Sequence, residues 1–417
     1  MTISLLKSTP HVSGSIVLTG SKSLSNRTLI IQALSSLNVE LLNCSNSDDT
    51  QHLQKALDSI RQKQHTIIDV GHAGTDLRFL TALLSITNGE FVLTGSERLQ
   101  QRPIEPLVTV LQQLGATINY EKTQGFPPLR IIGKTINGGA VDLPSSISSQ
   151  FVSALLMVAP YFKNGLTLHL IGDLVSKPYV DMTIDVMKHF NGEVEWKKNT
   201  IVVSPKAYEY KGLSHTIESD WSAASYYYSF IALSPMGTSV SLSILYKNGL
   251  QADALCATIY EYFGVTTQFE EDKIIITKST LHQKNTLVLD FINHPDIAQT
   301  IACTCLGLNI SFEFTGLQTL IVKETNRIQA LQTEFQKFGE ALLTTKNSLS
   351  YHSQQQSATL ETPICIDTYS DHRMAMSFAP LCLVYDGLVI NEAEVVSKSY
   401  PYFWDDIEKI GITVLRT

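Results

Sequence analysis

Four cations stand in or near the first turn of segments that continue almost wholly apolar: Lys22, Arg27, Arg78 and Arg373. A helix N-terminus carries a partial positive charge, so a cation there costs about 0.3–1 kcal/mol. Because helix N-termini and basic side chains together bind phosphate and carboxylate, four such cations indicate that anions normally lie beside them.

The stretch "YSDHRMAMSFAPLCLV" allows four interpretations of its polar head: an acid–base cluster, a metal site, an anion clamp or a helix cap. No matching ligand set or nucleophile accompanies His372, which leaves its role open. Asp371 fits a helix N-cap, and Arg373 fits an anion clamp. Further cations stand at other predicted element starts, which predicts a small substrate with more than one anionic group; they are Arg102, Lys323, Arg327 and Lys398.

Two series of segments must position these side chains. Six segments begin polar and continue apolar, and after the first they recur at intervals of about 75 residues, which is an internal repeat. A helix that is apolar nearly all round is buried inside a domain. These segments begin at Ser21, Gly74, Ser148, Asp220, Asp296 and Asp371.

A second series of amphipathic segments runs in phase with the first. Each ends in a glycine that fits the left-handed position after a helix; the glycines are 115, 192, 264, 339 and 411. Each repeat therefore supplies one buried helix, one surface helix and several short strands. Six repeats in 417 residues predict two domains of three repeats each.

Bulk composition excludes several classes of protein. A formal net charge of -8 argues against a broad nucleic-acid surface. The six cysteines form no zinc-type cluster and no disulfide framework, which predicts a reducing, cytoplasmic location. We find no signal peptide and no apolar run of the ~18 residues that a membrane span needs.

Eight blocks, in order, resemble the signature blocks of the EPSP synthases (3-phosphoshikimate 1-carboxyvinyltransferases), and they cover nearly the whole chain. One block would be weak, but eight in the family order are specific. They are "GSKSLSNR" at 20–27, "AGTDLR" at 73–78, "RPI" at 102–104, "SSQF" at 148–151, "SKPY" at 176–179, "PDIAQT" at 295–300, "VKETNR" at 322–327 and "DHRMAM" at 371–376.

The resemblance implies an α/β (α+β) fold of two domains, each with three βαβαββ units whose buried helices point at an interdomain cleft. Residues 1–20 and 219–417 would form the phosphoenolpyruvate side, and 21–218 the shikimate 3-phosphate side. Binding of the phosphate ester is expected to close the cleft. A monomer is expected, with no nucleic-acid or membrane partner.

The resemblance also implies a reaction of the shikimate pathway to aromatic amino acids. The enolpyruvyl group of phosphoenolpyruvate moves to the 5-hydroxyl of shikimate 3-phosphate by addition and elimination through a tetrahedral intermediate, releasing phosphate. It needs a base, an acid and cations, and no metal or organic cofactor. The residues implied as catalytic are Lys22, Asp296 and Glu324.

The substrate contacts are likewise carried over from the resemblance. Shikimate 3-phosphate would be held by Lys22, Ser23, Arg27, Ser148, Ser149, Gln150, Ser176, Tyr179, Asp296 and Lys323. Phosphoenolpyruvate would be held by Lys22, Gly74, Arg102, Gln150, Arg327, Arg373 and Lys398.

Simpler structural roles stand beside these assignments. Ser148 and Asp296 could be plain N-caps. Glu324 and Arg327 could be a surface i,i+3 ion pair worth a few tenths of a kcal/mol. Tyr179 could be core packing. Taken singly these readings are at least as good as the functional ones, and the order of the eight blocks favours function.

Three positions depart from the family pattern: His72 stands where asparagine is usual, Phe79 where proline is usual, and Asn326 where aspartate is usual. Phe79 regains a backbone N–H one turn below Gly74. We therefore expect a shifted helix start, and with it altered affinity for phosphoenolpyruvate or for the competing herbicide glyphosate.

Three rivals are weaker. UDP-N-acetylglucosamine enolpyruvyltransferases share the fold but carry an acid cysteine in their first domain, and this chain has none between Cys44 and Cys256. An RNA 3′-phosphate cyclase is opposed by the acidic balance and the missing nucleotide motif. A non-catalytic phosphate-binding protein would need neither Asp296 nor Glu324.

Overall fold

A computed structural model describes residues 1–7, 12–35, 39–62, 66–144, 148–172, 174, 176–283, 285–353, 360 and 362–417. Short strands recur throughout these ranges. They are β1 (Ile3–Lys7), β2 (Ser13–Ile16), β3 (Glu40–Leu42), β4 (Ile67–Asp69), β5 (Gly89–Thr94), β6 (Thr117–Tyr120), β7 (Leu129–Gly133), β8 (Gly139–Pro144), β9 (Leu166–Ile171), β10 (Val194–Lys197), β11 (Thr200–Val203), β12 (Ser214–Thr216), β13 (Ser239–Ser243), β14 (Val265–Phe269), β15 (Lys273–Lys278), β16 (Leu287–Asp290), β17 (Phe312–Thr315), β18 (Leu342–Thr344), β19 (Leu349–Tyr351), β20 (Ile364–Ile366), β21 (Leu388–Ile390) and β22 (Ile412–Arg416).

Helices alternate with these strands. They are α1 (Lys22–Ser35), α2 (Asp48–Gln62), α3 (Gly74–Ile86), α4 (Glu105–Gln113), α5 (Ser149–Val158), α6 (Lys177–His189), α7 (Trp221–Ala232), α8 (Cys256–Ile259), α9 (Ala298–Leu308), α10 (Arg327–Gln336), α11 (His372–Phe378) and α12 (Phe403–Lys409). No helix in the described ranges is long and apolar enough to cross a membrane.

The chain forms two compact units. Unit 1 comprises Met1–Thr19 and Glu218–Thr417, and unit 2 comprises Gly20–Ile217. Each unit has its own hydrophobic core of buried aliphatic and aromatic side chains.

One strand pattern recurs in every four-stranded sheet. In unit 2, the sheet β4-β5-β7-β6 has a parallel pair followed by two antiparallel pairs. The sheet β8-β9-β11-β10 repeats this pattern, as do three sheets of unit 1: β2-β13-β15-β14, β16-β17-β19-β18 and β20-β21-β1-β22. In four of these five sheets a helix lies between the two parallel strands, because parallel neighbours need a crossover; between β2 and β13 lie the whole of unit 2 and α7. This is the βαβαββ repeat that the resemblance implies, and the mixed α/β class is confirmed.

The segments predicted to be buried helices are buried helices. In α7, all the residues from Ala223 to Ala232 are buried. The Asp220 carboxylate caps this helix by accepting the Ala223 N–H at 3.1 Å, and Ser148 caps α5 by accepting the Gln150 N–H at 3.3 Å.

The prediction that a left-handed glycine follows each amphipathic segment is confirmed at four of five positions. Gly115, Gly264, Gly339 and Gly411 have positive φ, as a left-handed helix end requires. At the end of α6 the prediction for glycine 192 is wrong, because Asn191 takes the left-handed conformation with φ 62°. Asparagine is the residue other than glycine that most readily occupies this position.

Candidate active site

In unit 2 the Arg27 guanidinium is buried between α1, α5 and α6. It donates to Thr183 Oγ1 at 2.7 Å, to the Ser23 carbonyl at 2.8 Å and to the Tyr179 carbonyl at 3.3 Å. Its Cζ lies 5.4 Å from the centre of the Phe79 ring. Burial lowers the pKa of Arg27 to about 10. The Arg27 guanidinium thus brings Ser23 and Tyr179 together through their carbonyl groups. The groups that accept its hydrogen bonds here are uncharged.

The start of α3 lies directly against a second guanidinium. A Cβ at Gly74 would fall 2.2 Å from Arg102 Nη1, so the guanidinium can stay this close to the helix start only because residue 74 has no side chain. Arg78, one turn further, donates to the Gly74 carbonyl at 2.7 Å. Burial, with a contribution from Arg102, holds the pKa of Arg78 well below its usual value. Two cations therefore converge on one helix start, as an anion site would have them.

Lys22, the first residue of α1, faces a pair of carboxyl groups that the sequence did not single out. Its Nζ lies 3.0 Å from Asp49 Oδ2. Behind this pair, Asn26 Nδ2 donates to Asp76 Oδ1 at 2.8 Å, and the second Asp76 oxygen is buried with no hydrogen-bond partner among the described residues. Burial and the charge of Asp49 hold the pKa of Asp76 well above its usual value, which favours the neutral acid.

The remaining predicted residues of unit 2 occupy helix starts. Gln150 on α5 donates its side-chain amide to Thr75 Oγ1 on α3 at 3.0 Å, which joins the two helices. Ser149 is buried in the first turn of α5. Ser176 precedes α6 in the left-handed conformation, with φ 59°. Ser148 has the capping role that was its simpler interpretation, and Tyr179 packs partly buried against the core.

In unit 1, Asp296 is the centre of a cation cluster. Its carboxylate lies 3.2 Å from Lys323 Nζ, 3.3 Å from Arg327 Nη1 and 3.0 Å from Arg373 Nη2. It is not an N-cap, because a 3₁₀ turn at Pro295–Ile297 precedes α9 and no side chain caps that helix. Burial would raise the pKa of Asp296, but the charges of the three cations outweigh it and hold the pKa well below its usual value.

Arg327 forms ion pairs with three carboxylates, those of Asp296, Glu324 and Asp371. Its side chain is 1% exposed, so it is no surface ion pair. It donates to Asp371 through Nε at 2.7 Å and Nη2 at 3.2 Å, and Nη2 also reaches Glu324 Oε2 at 3.0 Å. Glu324 makes a second ion pair with Lys398 Nζ at 3.1 Å. Burial opposes the charge of Arg327, but the carboxylates, led by Asp371, raise its pKa above the usual value.

The "SDHR" head combines a helix cap with a cation that pairs with Asp296. Asp371 Oδ1 accepts the Arg373 N–H at 2.9 Å, which confirms the capping role, while Asp371 also pairs with Arg327. The Arg373 guanidinium reaches Asp296 and Ser222 Oγ, the latter at 3.3 Å. His372 is buried, with Nδ1 3.8 Å from Asp371 Oδ1, and the described residues form no cluster that could hold a metal.

The three departures occupy defined positions in unit 1 and unit 2. Asn326 caps α10 by accepting the Gln329 N–H at 3.3 Å, and asparagine caps as well as aspartate. His72 Nδ1 lies 2.8 Å from Ser96 Oγ at the surface. Phe79 is fully buried, and α3 begins at Gly74.

Sequence reasoning missed four polar residues around these clusters: Asp49, Asp76, Ser222 and Asp253. Asp253 is buried in unit 1 and accepts a hydrogen bond from Ser222. Each of these residues stands at or near the start of a helix or turn, where acidic and hydroxyl side chains are ordinary. Burial of the three aspartates was the missing signal.

Comparison with known proteins agrees in sequence and fold. The family model for EPSP synthase (3-phosphoshikimate 1-carboxyvinyltransferase) matches residues 6–66 and 58–407. A 3-phosphoshikimate 1-carboxyvinyltransferase of Bacteroides fragilis strain YCH46 is 44% identical over 411 residues, covering 98% of both chains. One from Aliivibrio salmonicida strain LFI1238 is 35% identical over 425 residues, covering 96% of this chain and 97% of its own.

A solved EPSP synthase from Acinetobacter baumannii has the same fold. It aligns over 100% of both chains with a TM-score of 0.78, at 21% sequence identity. At that identity the likeness concerns the fold alone.

Proposed function

This chain belongs to the EPSP synthase family, and we propose that it transfers the enolpyruvyl group of phosphoenolpyruvate to the 5-hydroxyl of shikimate 3-phosphate, releasing phosphate. The observation that carries the proposal is the cluster of unit 1, where Asp296 and Glu324 are both ion-paired to Arg327. A phosphate-binding protein needs the cations of this cluster, whereas a proton-transferring enzyme also needs its carboxylates.

The charges suggest how Asp296 becomes a base. With Arg373, Lys323 and Arg327 beside it, the carboxylate is ionised but a poor proton acceptor. Phosphoenolpyruvate would bring a phosphate and a carboxylate to these same cations. Neutralising the cations raises the proton affinity of Asp296, so the base is activated only when its substrate is bound.

Glu324 is the proposed proton donor to the methylene carbon. Its two ion pairs, to Arg327 and Lys398, hold the carboxylate in place. When the anionic groups of phosphoenolpyruvate bind these cations, Glu324 would take up a proton from solvent and then donate it. In the elimination step the proton flow reverses, so each group acts once as acid and once as base. Lys22, at the start of α1 in unit 2, is the third proposed catalytic residue.

The two units are proposed to divide the substrate contacts. In unit 2, the set for shikimate 3-phosphate is Lys22, Ser23, Arg27, Ser148, Ser149, Gln150, Ser176 and Tyr179. The phosphoenolpyruvate contacts of this unit are Gly74 and Arg102, with help from Lys22 and Gln150. Unit 1 would contribute Asp296 and Lys323 to the first substrate and Arg327, Arg373 and Lys398 to the second.

The decisive experiment is phosphate release from phosphoenolpyruvate with shikimate 3-phosphate or UDP-N-acetylglucosamine as acceptor. We expect release only with shikimate 3-phosphate. Glu324→Gln should bind both substrates but lose turnover. Release only with the sugar nucleotide would refute the proposal, and full turnover by Glu324→Gln would refute the role of Glu324.

Three further expectations belong to the proposal. We propose that the protein acts as a monomer in the cytoplasm and binds no nucleic acid. Light scattering of the purified protein tests the first point, cell fractionation the second, and a mobility shift with RNA and DNA the third.

A further inference from the structure

Asp253 is a buried carboxyl group next to the Asp296 cluster. It lies in the 3₁₀ turn Ala252–Leu255 and is 5% exposed. Its Oδ2 accepts a hydrogen bond from Ser222 Oγ, at the start of α7. Its Oδ1 is buried and has no hydrogen-bond partner among the described residues. Because burying a carboxylate is unfavourable unless it is fully paired, this position calls for an explanation.

A chain of hydrogen bonds joins Asp253 to the cluster. Ser222 Oγ accepts from Arg373 Nη2 at 3.3 Å, and the same nitrogen lies 3.0 Å from Asp296 Oδ2. A serine hydroxyl has one proton to give. When Ser222 donates it to Asp253, the oxygen lone pairs face the guanidinium of Arg373.

We propose that Asp253 is a positioning residue for phosphoenolpyruvate binding: as a carboxylate it orients the Ser222 hydroxyl to hold Arg373, and its protonation loosens that hold. The proposal rests on the proposed function, in which Arg373 binds phosphoenolpyruvate. Once protonated, Asp253 can itself donate to Ser222 Oγ, and the serine proton then turns toward the guanidinium and opposes it.

The surrounding charges place this protonation within reach. Burial and the charge of Asp296 raise the pKa of Asp253 to about 7, with Arg373 opposing and Asp220 contributing a smaller increase. The neighbouring Cys256 thiol is buried, and its pKa is well above the usual value, so it does not ionise in this range.

The test is the pH dependence of the KM for phosphoenolpyruvate in Asp253→Asn, an isosteric variant that stays neutral. The ratio of variant to wild-type KM should be about ten at pH 8.5, the effect of one hydrogen bond to a charged group. It should fall to near one at pH 5.5, where wild-type Asp253 is also neutral. The KM for shikimate 3-phosphate should not change. Taking the ratio cancels the titration of the substrate itself.

Three controls separate positioning from structure. Asp253→Glu keeps the charge and should restore the pH dependence in part. Asp406→Asn removes another buried carboxylate of unit 1, one that accepts from Tyr400 Oη at 2.7 Å, and should keep the wild-type profile. Thermal denaturation checks that each variant folds.

A ratio that is constant with pH, or an equal rise in both KM values, would overturn the proposal. Calorimetric binding of phosphoenolpyruvate in the presence of shikimate 3-phosphate, at pH 5.5 and 8.5, reads the same difference without turnover. Absence of phosphate release with intact pH-dependent binding would count against the proposed function alone. Absence of phosphoenolpyruvate binding to the wild type would overturn both.

Discussion

Gly74→Ala should weaken phosphoenolpyruvate binding and leave shikimate 3-phosphate binding intact. The added Cβ would fall 2.2 Å from Arg102 Nη1 and 2.8 Å from its Cζ. Ordinary contact needs at least about 3.4 Å, and the guanidinium is the far end of a flexible side chain. Arg102 must therefore move away from the start of α3 by roughly 1 Å.

The size of the effect follows from the bond that is lost. Hydrogen bonds to charged groups contribute about 1.5–3 kcal/mol, and each 1.4 kcal/mol is a factor of ten in affinity. We therefore expect a KM for phosphoenolpyruvate raised about 10- to 100-fold. The KM for shikimate 3-phosphate should stay within a factor of about two, since the Arg27 cluster is not displaced.

Steady-state phosphate release with each substrate varied in turn measures both constants. The matched control is Gly307→Ala in α9 of unit 1, where the added Cβ would meet the end of another flexible side chain, Leu233 Cδ2, at 2.6 Å. Arg102→Lys should make the effect of Gly74→Ala on this KM smaller, because the thinner lysine end avoids the main clash and leaves only the one with Arg78 Nη1, 2.8 Å from the added Cβ. An unchanged KM for phosphoenolpyruvate in Gly74→Ala would refute the reasoning.

Three further outcomes follow from the buried charges. Phe79→Leu removes the ring beside Arg27, a cation–π contact worth about 2 kcal/mol when desolvated. This change should raise the KM for shikimate 3-phosphate several-fold. A rise in the KM for phosphoenolpyruvate alone would contradict the prediction. Asp76→Asn should stabilise the protein increasingly as pH rises above about 4, because native Asp76 keeps a proton that the unfolded chain releases. The gain in unfolding free energy should reach up to about 1.4 kcal/mol per pH unit. Parallel pH profiles of the unfolding free energy for variant and wild type would refute this prediction. Arg327→Lys leaves the fully buried Asp371 without its bidentate guanidinium partner and should lower the free energy of unfolding by about 3–5 kcal/mol. The loss should appear as a lower midpoint in thermal denaturation. A wild-type midpoint would show that a lysine ammonium replaces the guanidinium.

The repeat and the caps could be read from the sequence because both depend on local rules. Asp220, Asp371 and Ser148 cap the buried helices as their positions predict. Asp296 stands in the corresponding place but binds three cations from other elements, and a one-dimensional pattern does not reveal that. Asp253 escaped notice for the same reason, since its partner is 31 residues away along the chain.

Strand β1 bears on the order in which the protein can assemble during synthesis. It lies between β21 and β22, so its hydrogen-bonding partners leave the ribosome only after the whole of unit 2 and most of unit 1. Unit 2 is one continuous segment and can complete its core first. At about 5–20 residues per second, β1 then waits roughly 20–80 s with unpaired edges, which are a template for aggregation. Unit 1 should therefore be the part of this protein that depends on chaperones. Slower translation should lengthen the time for which β1 is unpaired and so increase that dependence.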